Sequence, residues 1–312
     1  MSRGPRSNGQ GSNGQDLNGA AQTVGATLPP TGAASSGQQE IEVIDDFELL
    51  DPSTLLKVAT SVGFTPATVK QTINNTSQAG SAWSNIATDT KFLGVDPEKL
   101  SRQRCYLIML VLDDSGSMGG YEDAVVDAAK AFVKEYKDAR ESEKIHSDVL
   151  VAVGTLNGGL IIPYTDVRTF DGHLLDGFNA DGGTPLFDVT NSALSLQMAK
   201  TTELALLGIT SKTITVLMTD GCDGHSRLSS NEVRPVIKGL DNDGRMNHIV
   251  AGIYLGNADK SVFTSMGMKD EWILGSAQDA AKLVDTFSRL SKLSMMALSN
   301  GQGQADRAIT MS

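Results

Sequence analysis

No stretch of the 312-residue chain approaches the ~18 consecutive apolar residues of a membrane span. Cysteine is nearly absent: Cys105 and Cys222 alone cannot build a disulfide framework. Basic charge is missing from a whole region. Between Ser7 and Leu56 there is no Lys or Arg, against seven acids, so −7 of the net −11 lies there. This acidity argues against nucleic acid, whose binders present a basic face, and against adsorption to anionic membranes. Met1-Ser2-Arg3-Gly4-Pro5 leads into no apolar stretch, so no secretory leader is expected. With two unpaired cysteines, a reducing, cytoplasmic compartment is the expectation.

Apolar residues make up 40% and charged residues 20%, enough for most of the chain to bury a core. The length suits one large domain with extensions. Residues 1–40 are rich in Gly, Ser, Asn and Gln, and Ser-Asn-Gly-Gln occurs at 7–10 and again at 12–15. So little apolar surface predicts a disordered tail, a solvated linker or a partner-binding tether. Residues 41–103 form an acidic and then helical extension. Ile41, Val43, Ile44, Phe47, Leu49 and Leu50 alternate with acids. Helices follow over about 52–62 and 65–73, opened by Asp51-Pro52-Ser53 and Thr65-Pro66, and the pair is expected to pack on the main domain. Residues 104–298 are that domain, and 299–312 a flexible C-terminal tail.

Within 104–298, strands and helices alternate. Tyr106–Leu112 is an unbroken apolar run, as in a strand buried on both faces. Residues 122–140 carry Val125, Ala128, Ala129, Phe132 and Tyr136 at helical spacing. Strands at 149–156 and 160–167 flank Asn157-Gly158-Gly159, a hairpin signal that makes them antiparallel. Then come a helix at 186–200, a strand at 213–218, a helix at 231–240 and a strand at 248–255. A short helix at 258–266, a short strand at 272–274 and a closing helix over about 277–298 complete the pattern. It predicts a doubly wound α/β fold: a mostly parallel central sheet with one antiparallel edge strand, flanked by helices.

Three fragments fall at strand ends: Asp113-Asp114-Ser115-Gly116-Ser117, then Asp181-Gly182-Gly183-Thr184-Pro185, then Thr219-Asp220-Gly221. Each has a plain structural explanation. Asp and Ser cap helices, and by average residue usage the Asp-x-Ser-x-Ser spacing arises by chance in about one chain in ten of this length. Thr184 before Pro185 is a good N-cap, and Thr219-Asp220-Gly221 suits a turn. Together they point further, because ligands bind open α/β sheets at the carboxyl edge where strand order reverses. Asp113, Ser115, Ser117, Thr184 and Asp220 are all hard oxygen donors, suited to Mg²⁺, Mn²⁺ or Ca²⁺ rather than zinc.

In these fragments the chain resembles the von Willebrand factor type A (VWA) domain with a complete metal-ion-dependent adhesion site (MIDAS), over about residues 104–298. The resemblance implies that Ser115 and Ser117 bind the cation directly. It also implies that Thr184 and Asp220 bind directly or through water, and that Asp113 orients the serines and a water. One position would stay open for an Asp or Glu of a protein partner, and loop movement could shift the closing helix. Without a leader, the relatives to expect are intracellular adaptors or assembly factors, many of which work beside a separate AAA+ ATPase. A secreted or surface adhesin is the alternative.

Asp114, Asp181 and Asp223 are read as solvated loop acids on the rim, with a second cation as the other reading. Cys222 and His225 lack a companion for zinc. A Cys105–Cys222 disulfide is excluded if the two lie at opposite ends of their strands. Catalysis lacks a full set of roles: no His accompanies the serine motif, and His146, His173 and His248 are distant in sequence. The chain is therefore expected not to be an enzyme, with a metal-assisted hydrolase or phosphatase as the catalytic alternative. The acidic tail is itself a candidate ligand for the site of a neighbouring copy, which deletion of residues 1–51 would test.

Overall fold

The computed structural model describes residues 64–80, 82–83, 93–221, 223–241, 248–256, 258–276 and 279–300, together with positions 53, 56, 59 and 60. The expected tail at 1–40, the acidic segment that begins at 41, most of the helix expected at 52–62, and Cys222 lie outside them, as does the tail expected at 299–312 except for residues 299 and 300, which end a helix.

Six strands form one sheet: β1 (Arg104–Leu112), β2 (Asp148–Thr155), β3 (Gly159–Asp166), β4 (Thr210–Thr219), β5 (His248–Leu255) and β6 (Ile273–Ser276). Their order is β3-β2-β1-β4-β5-β6. All neighbouring pairs are parallel except β2 and β3, which the Asn157-Gly158 turn folds back on each other. The sheet is thus mostly parallel with one antiparallel edge strand, as the periodicity predicts. Strand order reverses between β1 and β4, with Leu112 beside Met218 at their carboxyl ends.

β1 explains the two-sided core. Alternate side chains point to opposite faces, and eight of its nine residues are buried. Leu107, Met109 and Val111 face a cluster with α1 (Pro66–Gln78), α3 (Leu186–Leu206) and α4 (Ser230–Asp241). Ile108, Leu110 and Leu112 face Phe132 and Tyr136 of α2 (Glu122–Glu141) and Phe287 and Leu290 of α6 (Ala280–Asn300). Each such side chain contributes about 1.5–3 kcal/mol on full burial. A short helix, α5 (Ser261–Ser265), precedes β6.

α3 runs six residues past the end expected from its apolar spacing. α1 lies over α3 and α4, and many polar residues of α3 are buried. Asn191 accepts from Asn75 at 3.1 Å, Thr76 bonds Ser195 at 2.6 Å, and Gln197 donates to the β1 carbonyl of Leu107 at 3.2 Å. Lys200, fully buried, donates to Val95 O at 2.6 Å. The helix expected at 65–73 therefore exists, extends to Gln78, and roofs one face of the sheet; Thr65 caps it by accepting the Thr68 amide.

Candidate metal centre

β1 and β4 end side by side. The Asp113 amide donates to Met218 O at 3.0 Å, which extends their ladder one step past the strand. That places Asp113 and Asp220 on the same crevice, one at the end of each strand.

Asp113 is completely buried. Its Oδ1 accepts the Ser115 amide at 2.8 Å, and its Oδ2 accepts the Thr219 hydroxyl. Burial is the largest influence on this carboxyl and raises its pKa above the ordinary value; hydrogen bonds from Ser115 and Thr219 pull it down, and the Asp220 charge pushes it up. From Ser115 the donors continue in a chain. Ser115 Oγ lies 3.0 Å from Ser117 Oγ, and Ser117 Oγ donates to Asp220 Oδ1 at 2.7 Å. Ser115 is buried, Ser117 exposed and Asp220 half-buried, so the array runs from the interior to solvent.

The serines do not cap a helix. Ser115 opens a 3-10 turn (Gly116–Met118) without a side-chain cap bond, and α2 starts later, after Tyr121. Thr184 departs from expectation too. Pro185, not Thr184, takes the N-cap position of α3. Two residues from a later loop satisfy the free helix amides instead: Asp223 accepts from Phe187 at 3.1 Å and Ser226 from Asp188 at 3.0 Å. Among the described residues the Thr184 hydroxyl makes no hydrogen bond. Its loop is joined to the serine motif through backbone, with Gly116 N donating to Gly182 O at 3.2 Å and Asp181 N to Asp114 O at 2.8 Å. Gly182 sits at φ +116°, a conformation open to glycine. Ser115, Ser117 and Asp220 are thus linked side chain to side chain, Asp113 joins them through the Ser115 amide, and Thr184 is brought alongside by its backbone.

Asp114 and Asp223 are neither solvated nor free. Asp114 is buried, and its carboxylate accepts the Asn157 amide and Nδ2 at 2.8 Å each and the Gly158 amide at 3.1 Å. It fastens the β2–β3 turn, and Asn157 Nδ2 also donates to Gly183 O at 2.9 Å. Asp223 caps α3, while Asp181 remains exposed.

Sequence reasoning missed Asp188 and the role of His225, weighed there only as a zinc ligand. Asp188, almost fully buried, accepts amides of Gly80, Arg227 and Leu228 at 2.9–3.2 Å, tying the α1 exit and the 223–228 loop to the base of the site. His225 accepts the Thr184 amide through Nδ1 at 2.9 Å. Its ring lies so close over Gly183 that a Cβ there would come within 2.5 Å of it. No local pattern announces either contact, since the partners lie about forty residues apart or, for Gly80, 108. The other histidines stand elsewhere: His248 stacks on Phe64, and His173 pairs with Asp176. Cys105 is buried and free of any disulfide.

The donor set suits a hard divalent cation, since it is two neutral hydroxyls and two carboxylates, all oxygen. The Ser115–Ser117 and Ser117–Asp220 oxygens stand 3.0 and 2.7 Å apart, at ordinary hydrogen-bond lengths. Among the described residues no group of three or more His, Cys, Asp or Glu is placed to hold a metal.

No protein-family model and no curated protein matches the chain. Among solved structures, a von Willebrand factor type A protein from Catenulispora acidiphila is similar over 61% of this chain and 42% of its own, at 16% identity and a TM-score of 0.42. Proximal thread matrix protein 1 from the mussel byssus, solved with zinc in its MIDAS motif, is similar over 61% and 45%, at 18% identity and 0.39. The pilus adhesin SpaC from Lactobacillus rhamnosus GG, in its open conformation, is similar over 62% and 30%, at 14% identity and 0.45. The similarity spans less than half of each of these solved chains.

Proposed function

We propose that this chain is a divalent-cation-dependent protein-interaction module. One observation carries the reading. At the switch point of the sheet, the Ser115 and Ser117 hydroxyls and the Asp220 carboxylate bond one another and cap no helix. In the proposal these oxygens hold the cation, Thr184 reaches it directly or through water, and Asp113 orients the serines and a water. An all-oxygen donor set suits Mg²⁺, with Mn²⁺ or Ca²⁺ as the alternatives.

The bound cation supplies Lewis acidity toward a carboxylate oxygen. Neutral hydroxyls leave that acidity undiminished, and two carboxylates balance the charge, so an Asp or Glu of a partner protein can occupy an open position. Neither serine bonds a histidine among the described residues, which supports binding over catalysis. In this proposal the partner is a cytoplasmic protein presenting an Asp or Glu, and a complex with a separate AAA+ ATPase is one such partner; a surface adhesin is the alternative. Among the described residues no helix is long and apolar enough to cross a membrane.

Isothermal titration of an acidic partner peptide with Mg²⁺ and with EDTA tests the site; equal affinity in both would sink it. A pull-down comparing the wild type with Asp113→Ala identifies the partner. Labelling of intact cells with a membrane-impermeant reagent would favour the surface-adhesin alternative over the cytoplasmic one.

A further inference from the structure

The opposite edge of the sheet, where β1 and β4 begin, carries a second surface. Between the turn at Pro97–Lys99 and the end of α3 opens a groove of about 310 Å³. Pro97, Leu100, Leu207 and Ile209 line it, with Arg102 and Glu98 at its sides. Leu207 is 52% exposed, although it only ends a helix before the Gly208 turn, where a polar residue would serve as well. Positive charge gathers around it. Lys99, Arg102 and Arg104 are exposed, and among the described residues neither arginine forms an ion pair. Lys212 lies close enough that burial, helped by the Arg104 charge, holds its ammonium below its usual range. In a chain of net charge −11, this edge pairs apolar surface with arginines that form no ion pair among the described residues.

We propose that residues 41–51 of the same chain dock in this groove. The segment has the complementary character. Ile41, Val43, Ile44, Phe47, Leu49 and Leu50 can fill the apolar floor, while Glu42, Asp45, Asp46, Glu48 and Asp51 face Arg102, Arg104 and Lys99. It also has the reach. Thirteen residues beyond Asp51 the chain passes this same edge, where Phe64 stacks on His248, the first residue of β5, with ring centroids 4.6 Å apart. β5 is two strands from β1, a distance of about 10 Å, and eleven residues span up to ~36 Å when extended. A tethered segment acts at an effective concentration near millimolar, so modest contacts hold it in place. The groove lies across the sheet from the cation centre, and docking there is independent of the metal.

Hydrogen exchange on the full chain tests the proposal. Amides of 41–51 should exchange at least ~10-fold more slowly than in a free peptide of that sequence. The protection should be unchanged by EDTA and by hundredfold dilution. Leu207→Glu, Arg102→Glu and, independently, Phe47→Asp should each restore the free-peptide rate while leaving the thermal midpoint unchanged, the groove residues being exposed. Free-peptide exchange in the wild type would overturn the proposal, as would protection that survives both groove variants. Protection lost on dilution would place the segment on a second copy instead, and protection lost with EDTA would place it at the cation; either result overturns docking within the chain.

Discussion

Two sets of acids stand within a few residues of each other at the carboxyl edge of the sheet, and they bond differently. Asp114, Asp188 and Asp223 direct their oxygens mainly at backbone amides: the hairpin turn, the 227–228 loop and the start of α3. Asp220 instead accepts a serine hydroxyl, and Asp113 takes one amide and one hydroxyl. An amide cannot change partner without unmaking a turn. A hydroxyl rotates, and its oxygen can pass from a hydrogen bond to a cation. The first set is scaffold and the second is exchangeable, although Asp113 and Asp114 are neighbours in the chain.

Substitutions can break this contrast in order of size. Asp188→Ala strands buried amides of Gly80, Arg227 and Leu228, and at ~1–3 kcal/mol for each unsatisfied group it should lower stability by about 4 kcal/mol, read from urea denaturation. Asp114→Ala frees the Asn157 and Gly158 amides at a partly exposed turn and should cost about 3 kcal/mol in the same assay. Ser117→Ala belongs to the other set. In EDTA its stability should stay within about 0.5 kcal/mol of wild type. The stabilisation that Mg²⁺ confers on the wild type, about 2.7 kcal/mol at a hundredfold excess over Kd, should be missing. His225→Ala removes an exposed acceptor of the Thr184 amide and should cost under about 1 kcal/mol, weakening cation binding less than Ser117→Ala does. Equal losses for Asp114→Ala and Ser117→Ala in EDTA would erase the distinction.

The same contrast marks what the sequence discloses. The β1 run, the Asn157-Gly158 turn and the three motif fragments are local patterns, and the structure places them where such patterns lead. The pairing of buried polar residues on α3 is not local. α1, more than a hundred residues earlier, supplies Asn75 and Thr76 to meet them. Nor could the Thr184-Pro185 pair reveal that Asp223 and Ser226 cap the helix from thirty-six and thirty-eight residues away. With the helix capped from that loop, the Thr184 hydroxyl makes no hydrogen bond among the described residues.

The central claim is that the linked hydroxyls form a cation site. Isothermal titration of Mg²⁺ into EDTA-treated, dialysed protein, run beside Ser117→Ala, tests it most directly. The account predicts saturable binding of one cation per wild-type chain and its loss in the folded variant. No binding to the wild type, or equal binding to both, would contradict it.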